Sequence, residues 1–498
     1  MEHHTQYPAV FAAVFFLFST LPASVQETDT ARVLNLLSGF MKNDLTLQKD
    51  AIAVSQAQLT AKTTSINNGY NLKLNSGTMT YRTNDSKNTV SIYPSAELDI
   101  PQVSGLVIKS SSEGDSDSSS VTWTDTSFSA TVNIISGDSL TRKVTLLKAQ
   151  RNILEAQRTL QNRALETESL FYNDLVTLYT DAVTVLTNKK DLYDKKIALL
   201  KLQAQGYGEE SSTYRTQKLE VMSYQHKVDE SQRVLEKDTI VFAKYCDAVY
   251  PSPEYKTAQD FLPLAVPQAE AVNVLSFKDD LYTDTESALW DKYINELDRK
   301  SNVNFKLSGT AGYTIDNSDT NSDSADLGTT AAWKGVSVTA GASLPAGDAT
   351  EAGDKSTAYT LSVSIKPSDF ALASVTDKQK TLSAKQDQIA VETARKDYDA
   401  SVLDQQTSLV NIKWSLQSDT DEYLVYKKLE EDMSKWFKAG VVAESEYLEA
   451  QVNRDKYLFQ SLADKTNLII YNNTTRLLFC RDEELRQLTE PQGEYAHE

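Results

Sequence analysis

Proline and glycine are scarce in this chain of 498 residues. The 11 prolines and 17 glycines make up roughly half of the usual combined share of about 12%. These residues commonly end helices, so their scarcity leaves room for very long helices. Residues 139–205 and 371–438 contain neither of them, and the sequence predicts a long helix over each range.

Cysteine and positive charge are also in short supply. Two cysteines, Cys246 and Cys480, exclude a framework of several disulfides. We interpret them as two equivalent small buried residues at helix ends, with a disulfide or a redox role as the alternative. The net charge of −19 argues against a nucleic-acid partner, which requires a basic surface.

Residue patterns typical of catalysis and metal binding are missing as well. The sequence has no phosphate-binding glycine loop, no nucleophile elbow and no closely spaced pair of cysteines. Four histidines form no ligand cluster: His3, His4, His226 and His497. We therefore expect a protein that is not an enzyme and that has no cofactor and no metal site.

The first 24 residues resemble a signal peptide. The apolar run 8–18 is too short to span a bilayer comfortably, and the small residues Ala23 and Ser24 suit cleavage. Residues 1–4 contain no Lys or Arg, so an N-terminal membrane anchor is the alternative. No later segment has 18 consecutive apolar residues. We expect the mature chain to be exported.

The rest of the chain contains an internal duplication. Equivalent residues recur 234 positions apart and in the same order: Gly206 and Gly440, Gln217 and Gln451, Cys246 and Cys480. The predicted first repeat covers 25–249 and consists of a helix over 30–66, strands within 70–136, a long helix over 139–205, a tip and a return helix over 209–248. A linker over 250–283 follows. The predicted second repeat covers 284–480 and consists of a helix, strands within 303–366, a long helix over 371–438, a tip and a return helix over 442–479, before a polar tail over 481–498. A duplication of this length indicates pseudo-symmetric units.

Between the helices of each repeat, apolar and polar residues alternate. Strict alternation is typical of strands with one apolar and one wet face. The predicted strands lie near 70–82, 88–100, 103–109 and 121–135, and near 303–314, 328–333, 335–343 and 356–366. The acidic stretches 110–120 and 316–323 are predicted to be loops that face water. The predicted fold class is therefore α+β.

These features together resemble the TolC family of outer-membrane efflux channels over residues 30–480. The segment 437–451 is similar to the helical tip of that family: an aromatic residue, then glycine with aliphatic residues, then an acidic helix start. The resemblance implies long-helix hairpins that form a periplasmic α-barrel, and strands that contribute to a shared trimeric β-barrel. Four short strands per half exceed the two long ones usual in the family. Either the barrel is larger, or one hairpin per half lies elsewhere.

The same resemblance implies function and partners. It implies a homotrimeric channel-tunnel of a tripartite efflux or type I secretion system, a passive exit duct for small molecules or proteins. Its partners would be a periplasmic adaptor protein, an inner-membrane transporter and outer-membrane lipid. The channel would lie in the outer membrane and extend into the periplasm. The alternative is a secreted or surface trimeric coiled-coil structural protein or adhesin, which would leave the tip segments unexplained.

The resemblance also assigns site residues. Glu446 and Glu449, three apart on one helix face, match the acidic pair that narrows the periplasmic entrance in the family, although two solvated surface glutamates near a helix N-terminus would look the same. Residues predicted to form the tips, the adaptor docking surface and the gate are Gly206, Ser212, Phe437, Gly440 and Val442. Because Ser212, Val442 and Phe437 stand where some relatives have a polar latch, we predict closure by apolar contact.

Overall fold

A computed structural model describes residues 29–77, 79–84, 87–116, 121–317, 323–346 and 357–480. The predicted signal peptide and the predicted polar tail lie outside the described residues. No helix within these ranges is long and apolar enough to cross a bilayer.

The helices and strands follow one another in the same manner in both halves. In the first half they are α1 Asp29–Lys42, α2 Leu45–Asn67, β1 Asn71–Asn75, β2 Met79–Asn84, β3 Lys87–Ile92, β4 Ser95–Ile100, β5 Leu106–Ser116, β6 Val121–Ile135, α3 Asp138–Ala204 and α4 Ser212–Tyr245. After the short helix α5 Ala258–Phe261 and two 3-10 turns, the second half contains α6 Thr283–Ser301, β7 Phe305–Asp316, β8 Ser324–Trp333, β9 Val336–Pro345, β10 Ala358–Ile365, α7 Pro367–Lys438 and α8 Glu444–Leu477. The predicted α+β class is confirmed.

The single helix predicted over 30–66 is in fact two helices. The break falls at Asn43 and Asp44, where the Asp44 carboxylate accepts hydrogen bonds from the backbone N–H groups of Thr46 (2.8 Å) and Leu47 (3.2 Å). An Asp that accepts from the first free N–H groups of a helix is a strong start signal. The apolar spacing continues across this position, so periodicity alone did not reveal the break.

All ten strands belong to one antiparallel sheet. Its main path runs β1-β4-β5-β6-β7-β8-β9-β10, so each half supplies four neighbouring strands. The hairpin β2–β3 lies off this path and joins it through the pairing of β3 with β5. The sequence left open whether all strands join one larger sheet or one hairpin per half lies elsewhere. The first half has an additional hairpin outside the main path, and the second half has none within the described residues.

Three strand predictions in the first half were wrong. The strand expected over 70–82 is divided into β1 and β2, of which only β1 lies on the main path of the sheet. The loop expected at 110–120 is part of β5 as far as Ser116, and residues 117–120 lie outside the described ranges. Polar side chains do not prevent pairing here, because the Ser111 hydroxyl lies 2.7 Å from that of Ser127 across the strands. The strand expected over 88–100 is interrupted at Tyr93 and Pro94, since proline has no N–H to donate. Residues 318–322 of the second acidic stretch lie outside the described ranges.

The described chain divides into two compact units. One contains residues 29–51, 158–283 and 397–480, and the other contains 52–157 and 284–396. The first unit has a core centred on the middle of α3, whose predicted stripe is almost fully buried: Phe171, Leu175, Leu178, Ala182 and Val185. Side chains of α1, α4 and α8 pack around this stripe. Burial of α3 by three neighbours explains how so long a helix is stable.

The second unit is held together next to its sheet by a buried ion pair. The Arg151 guanidinium of α3 binds both carboxylate oxygens of Glu286 on α6, and each residue is at least 96% buried. The Arg151 Nε also donates to Glu155 at 2.7 Å, and the guanidinium lies 5.2 Å from the centre of the Trp290 ring. Two parallel hydrogen bonds between a guanidinium and a carboxylate fix the orientation of the two groups relative to each other.

Loss of the Glu286 carboxylate should therefore destabilise the chain strongly. We expect Glu286→Ala to lower the free energy of unfolding by about 3–5 kcal/mol, because the buried Arg151 would lose both hydrogen bonds to its buried carboxylate and keep only the half-exposed Glu155. The matched control is Glu296→Ala, which removes an exposed partner of Lys300 on the same helix and should cost about 0.5 kcal/mol or less. Urea titration followed by tryptophan fluorescence measures both. Equal losses in the two variants would contradict the prediction.

Candidate functional site

One face of the sheet is apolar from edge to edge. Directly paired residues lie on the same face of a sheet, and one row of such pairs crosses all eight strands of the main path: Leu72, Leu98, Ile108, Ala130, Ala311, Leu327, Ala342 and Tyr359. None of these side chains is polar apart from the tyrosine hydroxyl. Four of its five large members are exposed, including Leu327 at 56% and Tyr359 at 80%, and the fifth, Leu98, is half-buried.

The opposite face is polar in the adjacent row. This row consists of Lys73, Glu97, Lys109, Ser129, Gly312, Asp326, Ser343 and Ala358. The Glu97 carboxylate binds the ammonium groups of Lys73 and Lys109, both at 3.0 Å. The sheet therefore has one face suited to water and one suited to an apolar medium.

Aromatic residues mark both ends of the apolar face. Phe305 pairs with Trp333 near the start of β7, and Tyr313 pairs with Phe128 near its end. The same alternation that places Ala311 on the apolar face places these four side chains there. Phe305 and Tyr313 are eight positions apart, which is roughly 27 Å at about 3.4 Å per residue. These pairs are not visible in the sequence, because only the register shows which aromatics lie side by side.

Nine residues of strand between two aromatic pairs is close to the length of a strand that crosses a bilayer at a tilt. A tilted strand crosses the hydrocarbon layer in about 9–11 residues, and the lipid-facing band of such barrels is about 25 Å tall. An exposed apolar face of this extent is unusual for a sheet in water.

The two predicted tips, both in the first unit, have the same backbone structure. The N–H of Tyr207 donates to the carbonyl of Leu202 at 3.1 Å, and the N–H of Val441 donates to that of Trp436 at 2.9 Å. Gly206 and Gly440 lie between, at φ values of +87° and +72°. This helix-ending motif needs a left-handed residue, which glycine adopts without steric cost.

The two acids predicted for the entrance lie on α8 and have partners within the chain. The Glu446 carboxylate accepts from the backbone N–H of Ala443 at 3.3 Å, so it caps its own helix. Glu449 lies 3.7 Å from the Lys190 ammonium on α3 and is half-exposed. An exposed pair at this distance contributes little to stability, but it reduces the local negative charge.

Polar side chains connect the hairpin of α3 and α4 with the hairpin of α7 and α8, at positions that the sequence does not predict. Besides the Lys190–Glu449 pair, the pKa of Tyr193 on α3 is raised by desolvation and by the Glu444 carboxylate at the start of α8. The pKa of Lys190 is raised mainly by its hydrogen bond to Asp194. Nothing in the sequence distinguishes Lys190 and Tyr193 from ordinary surface residues. Only the packing of α3 beside α8 brings them close to acids of the second tip.

The remaining predicted tip residues occupy varied surroundings. The Phe437 ring stacks on Tyr447, with centroids 5.3 Å apart and an interplanar angle of 13°. Val442 is half-buried, and Ser212 is exposed as the first residue of α4. The stacked rings hold the second tip together within the hairpin of α7 and α8.

Cys246 and Cys480 lie directly after α4 and close to the end of α8, and both are buried and free of disulfide bonds. Burial raises the pKa of the Cys246 thiol to about 12, with a smaller contribution from Asp174. This geometry agrees with the interpretation of two equivalent buried residues at helix ends.

Two family models match consecutive parts of the chain. Residues 36–266 match the TP096X N-terminal domain, and residues 267–482 match the TP096X C-terminal domain. The chain thus carries both TP096X domains in order, over nearly all of its described residues. No curated protein matches the chain.

Solved structures similar to this chain are outer-membrane channels of the TolC family, the family that the sequence resembles. The outer-membrane protein VceC of Vibrio cholerae is 10% identical with a TM-score of 0.46, over 91% of this chain and 98% of that one. The CmeC channel of Campylobacter jejuni is 10% identical with a TM-score of 0.45, over 95% and 94%. The open MtrE channel of Neisseria gonorrhoeae is 10% identical with a TM-score of 0.41, over 92% and 93%.

The backbone of the second tip should depend on glycine at position 440. No atom lies within 4 Å of a Cβ added there, so a substitution acts through the positive φ alone. We expect Gly440→Val to destabilise the turn by about 1–2 kcal/mol, and Gly440→Asn to do so much less, because Asn tolerates this conformation. Hydrogen exchange of the amides around residue 441 measures the effect. Equal exchange in both variants would show that the conformation is not the cause.

Proposed function

We propose that this chain is one subunit of a homotrimeric outer-membrane channel, a passive duct for small molecules or proteins leaving the cell. The observation that carries the proposal is the apolar row across eight paired strands, with aromatic pairs at both ends of its face. In a bilayer no water can satisfy an unpaired strand edge, so spanning sheets close into barrels. A single copy leaves β1 and β10 as edges of the path, and copies of the chain would close them.

The polar face then lines the inside of the barrel. Its row of Lys, Glu and Asp side chains, with the Lys73–Glu97–Lys109 ion pairs, suits a water-filled lumen and not a protein core. Outer-membrane lipid is the partner of the apolar face. On this proposal the helices extend into the periplasm, and the chain works with a periplasmic adaptor protein and an inner-membrane transporter.

Charge introduced on the apolar face should block membrane insertion. Ala340 lies opposite Leu361 and Thr329, in the row halfway between the two aromatic pairs. We expect Ala340→Arg to destabilise the inserted protein by about 2–4 kcal/mol. Its neighbour Thr339 lies on the polar face, so Thr339→Arg is the matched control. The measurement is the fraction of heat-modifiable trimer extracted from outer membranes with detergent.

If the two arginine variants behaved alike, the apolar face would not be in contact with lipid. A wild-type chain found as a soluble monomer would reject the channel altogether. A soluble trimer would reject it as well and would favour a secreted coiled-coil structural protein.

The tips would form the periplasmic entrance, where the adaptor docks. Three copies of Glu446 and Glu449 would place six carboxylates at the narrowest point, partly offset by Lys190. Rings of carboxylates favour cations in a pore. Gly206, Ser212, Phe437, Gly440 and Val442 form the docking and gating surface in this proposal, with the Phe437–Tyr447 stack as part of an apolar closure.

The acidic ring has a direct electrical test. In planar bilayers, the wild-type channel should be cation-selective and blocked by multivalent cations from the tip side, and Glu446→Gln/Glu449→Gln should lose most of this block. Salt should weaken the difference, because screening shortens the field to about 8 Å at physiological ionic strength. Glu431→Gln, an exposed acid on α7, is the control. Unchanged block in the double variant would place the constriction elsewhere.

A further inference from the structure

Two aspartates face each other between the helices of the hairpin that carries the second tip. Asp419 lies on α7 and Asp464 lies on α8, and their carboxyl groups are hydrogen-bond partners across the two helices. Both side chains are half-buried. Two carboxyl groups can form such a bond only when one of them is protonated, because an ionised carboxylate has no hydrogen to donate. The contact therefore contains a proton.

One oxygen of this pair is buried without a donor. Oδ2 of Asp464 is shielded from solvent, and no N–H or O–H group of the described residues donates to it. The Asn467 side chain on α8 bonds to the Asp464 carboxyl but leaves this oxygen without a partner. A buried ionised oxygen with no donor is costly, whereas a protonated carboxyl supplies its own hydrogen. The burial thus favours the protonated form.

The charges that act on the pair come from the same two helices. Burial is the largest cause of the raised pKa of Asp419, Glu422 on α7 raises this pKa further, and Lys456 on α8 lowers it. Helix α3 packs against the same part of α8 through the stacked rings of Tyr179 and Phe459. Among the described residues, α3 adds no charge that acts on either carboxyl. The protonation state therefore depends on α7 and α8 alone.

The proton leaves this contact close to neutral pH. Burial, and then the negative charge of Asp419, raise the pKa of Asp464 to about 6. An aspartate freed from the contact titrates at about 3.9, so separation of the two helices releases a proton at intermediate pH. The stability that the pair contributes is therefore fully present at low pH, and it is lost as the pH rises through about 6.

We propose that Asp419 and Asp464 form a proton-dependent clamp, which holds α7 against α8 while the proton is shared and loosens the middle of the hairpin when the proton leaves. The pair lies 19 positions before the end of α7 at Lys438, which is about 28 Å from the second tip at 1.5 Å per residue. The clamp thus controls how firmly the second tip is held by its own hairpin. It acts within a single copy of the chain and does not depend on the proposed channel.

Hydrogen exchange in the full-length protein in detergent tests the clamp. Exchange of the amides at 415–423 and 460–468 is measured at about pH 5 and about pH 7.5, on either side of the raised pKa, and is corrected for the intrinsic pH dependence of exchange. We expect wild-type protection in both segments to fall about three- to tenfold between the two pH values. Amides around the Arg454–Glu430 ion pair, nearer the tip, should change much less. Equal protection of the wild type at both pH values would overturn the clamp.

Asparagine variants separate the shared proton from simple packing. In Asp464→Asn and in Asp419→Asn, the new amide supplies an N–H donor to the remaining carboxylate at every pH, so protection should hardly change between the two pH values. Asp421→Asn removes an exposed acid two positions from Asp419 on α7 and should keep the wild-type response. Asp181→Asn removes an acid of α3 whose pKa is also raised by burial, and it should keep the response as well.

The variants also define the results that contradict the clamp. A pH response that persists in Asp464→Asn and Asp419→Asn would overturn it, because the proton would then lie elsewhere. A response lost in Asp181→Asn would overturn it too, because the response would belong to α3. If one asparagine variant fails to fold, the other tests the same bond from the opposite helix. None of these results requires trimers, so the clamp and the channel stand or fall separately.

Discussion

The alternation of side chains across paired strands is the constraint on which the rest of this structure depends. Because the register keeps eight strands in step, residues from both halves of the chain form one apolar row and one polar row. A slip of one residue in any strand would move its whole apolar set to the other face. The register therefore decides whether the sheet has one apolar face and one polar face at all.

The two halves are more alike in backbone geometry than in the residues that surround equivalent positions. Both tips use the same hydrogen bonds and the same positive-φ glycine. The long helices differ, since the middle of α3 is enclosed by three neighbours, whereas α7 exposes Trp414 and Val410. The second tip also carries acids that the first lacks at equivalent positions, such as Glu446 in place of Ser212. Pseudo-symmetry in the fold thus coexists with distinct roles for the halves.

Much of the fold could be predicted because it depends on local patterns. Scarcity of breakers predicted the long helices, and alternation predicted the four strands of the second half near their observed positions. Errors arose where a single side chain overrode the pattern. The Asp44 cap divides the first helix, and the hydroxyl pair of Ser111 and Ser127 supports a strand where composition indicated a loop.

The sequence by itself determined the duplication, because equivalent residues recur at a constant spacing. It also determined the extent of the two longest helices, the glycine turns and the alternation of the strands, because each of these depends on residues close together in the chain. Only the tertiary structure decided which strands are neighbours, and so which aromatics pair at the ends of the apolar face. It also selected Lys190 and Tyr193 as partners of the second tip, and Glu286 as the partner of Arg151. The pairs made by Lys190, Tyr193 and Glu286 join residues more than a hundred positions apart. No local pattern records such a distance, because the contact arises when helices and strands pack.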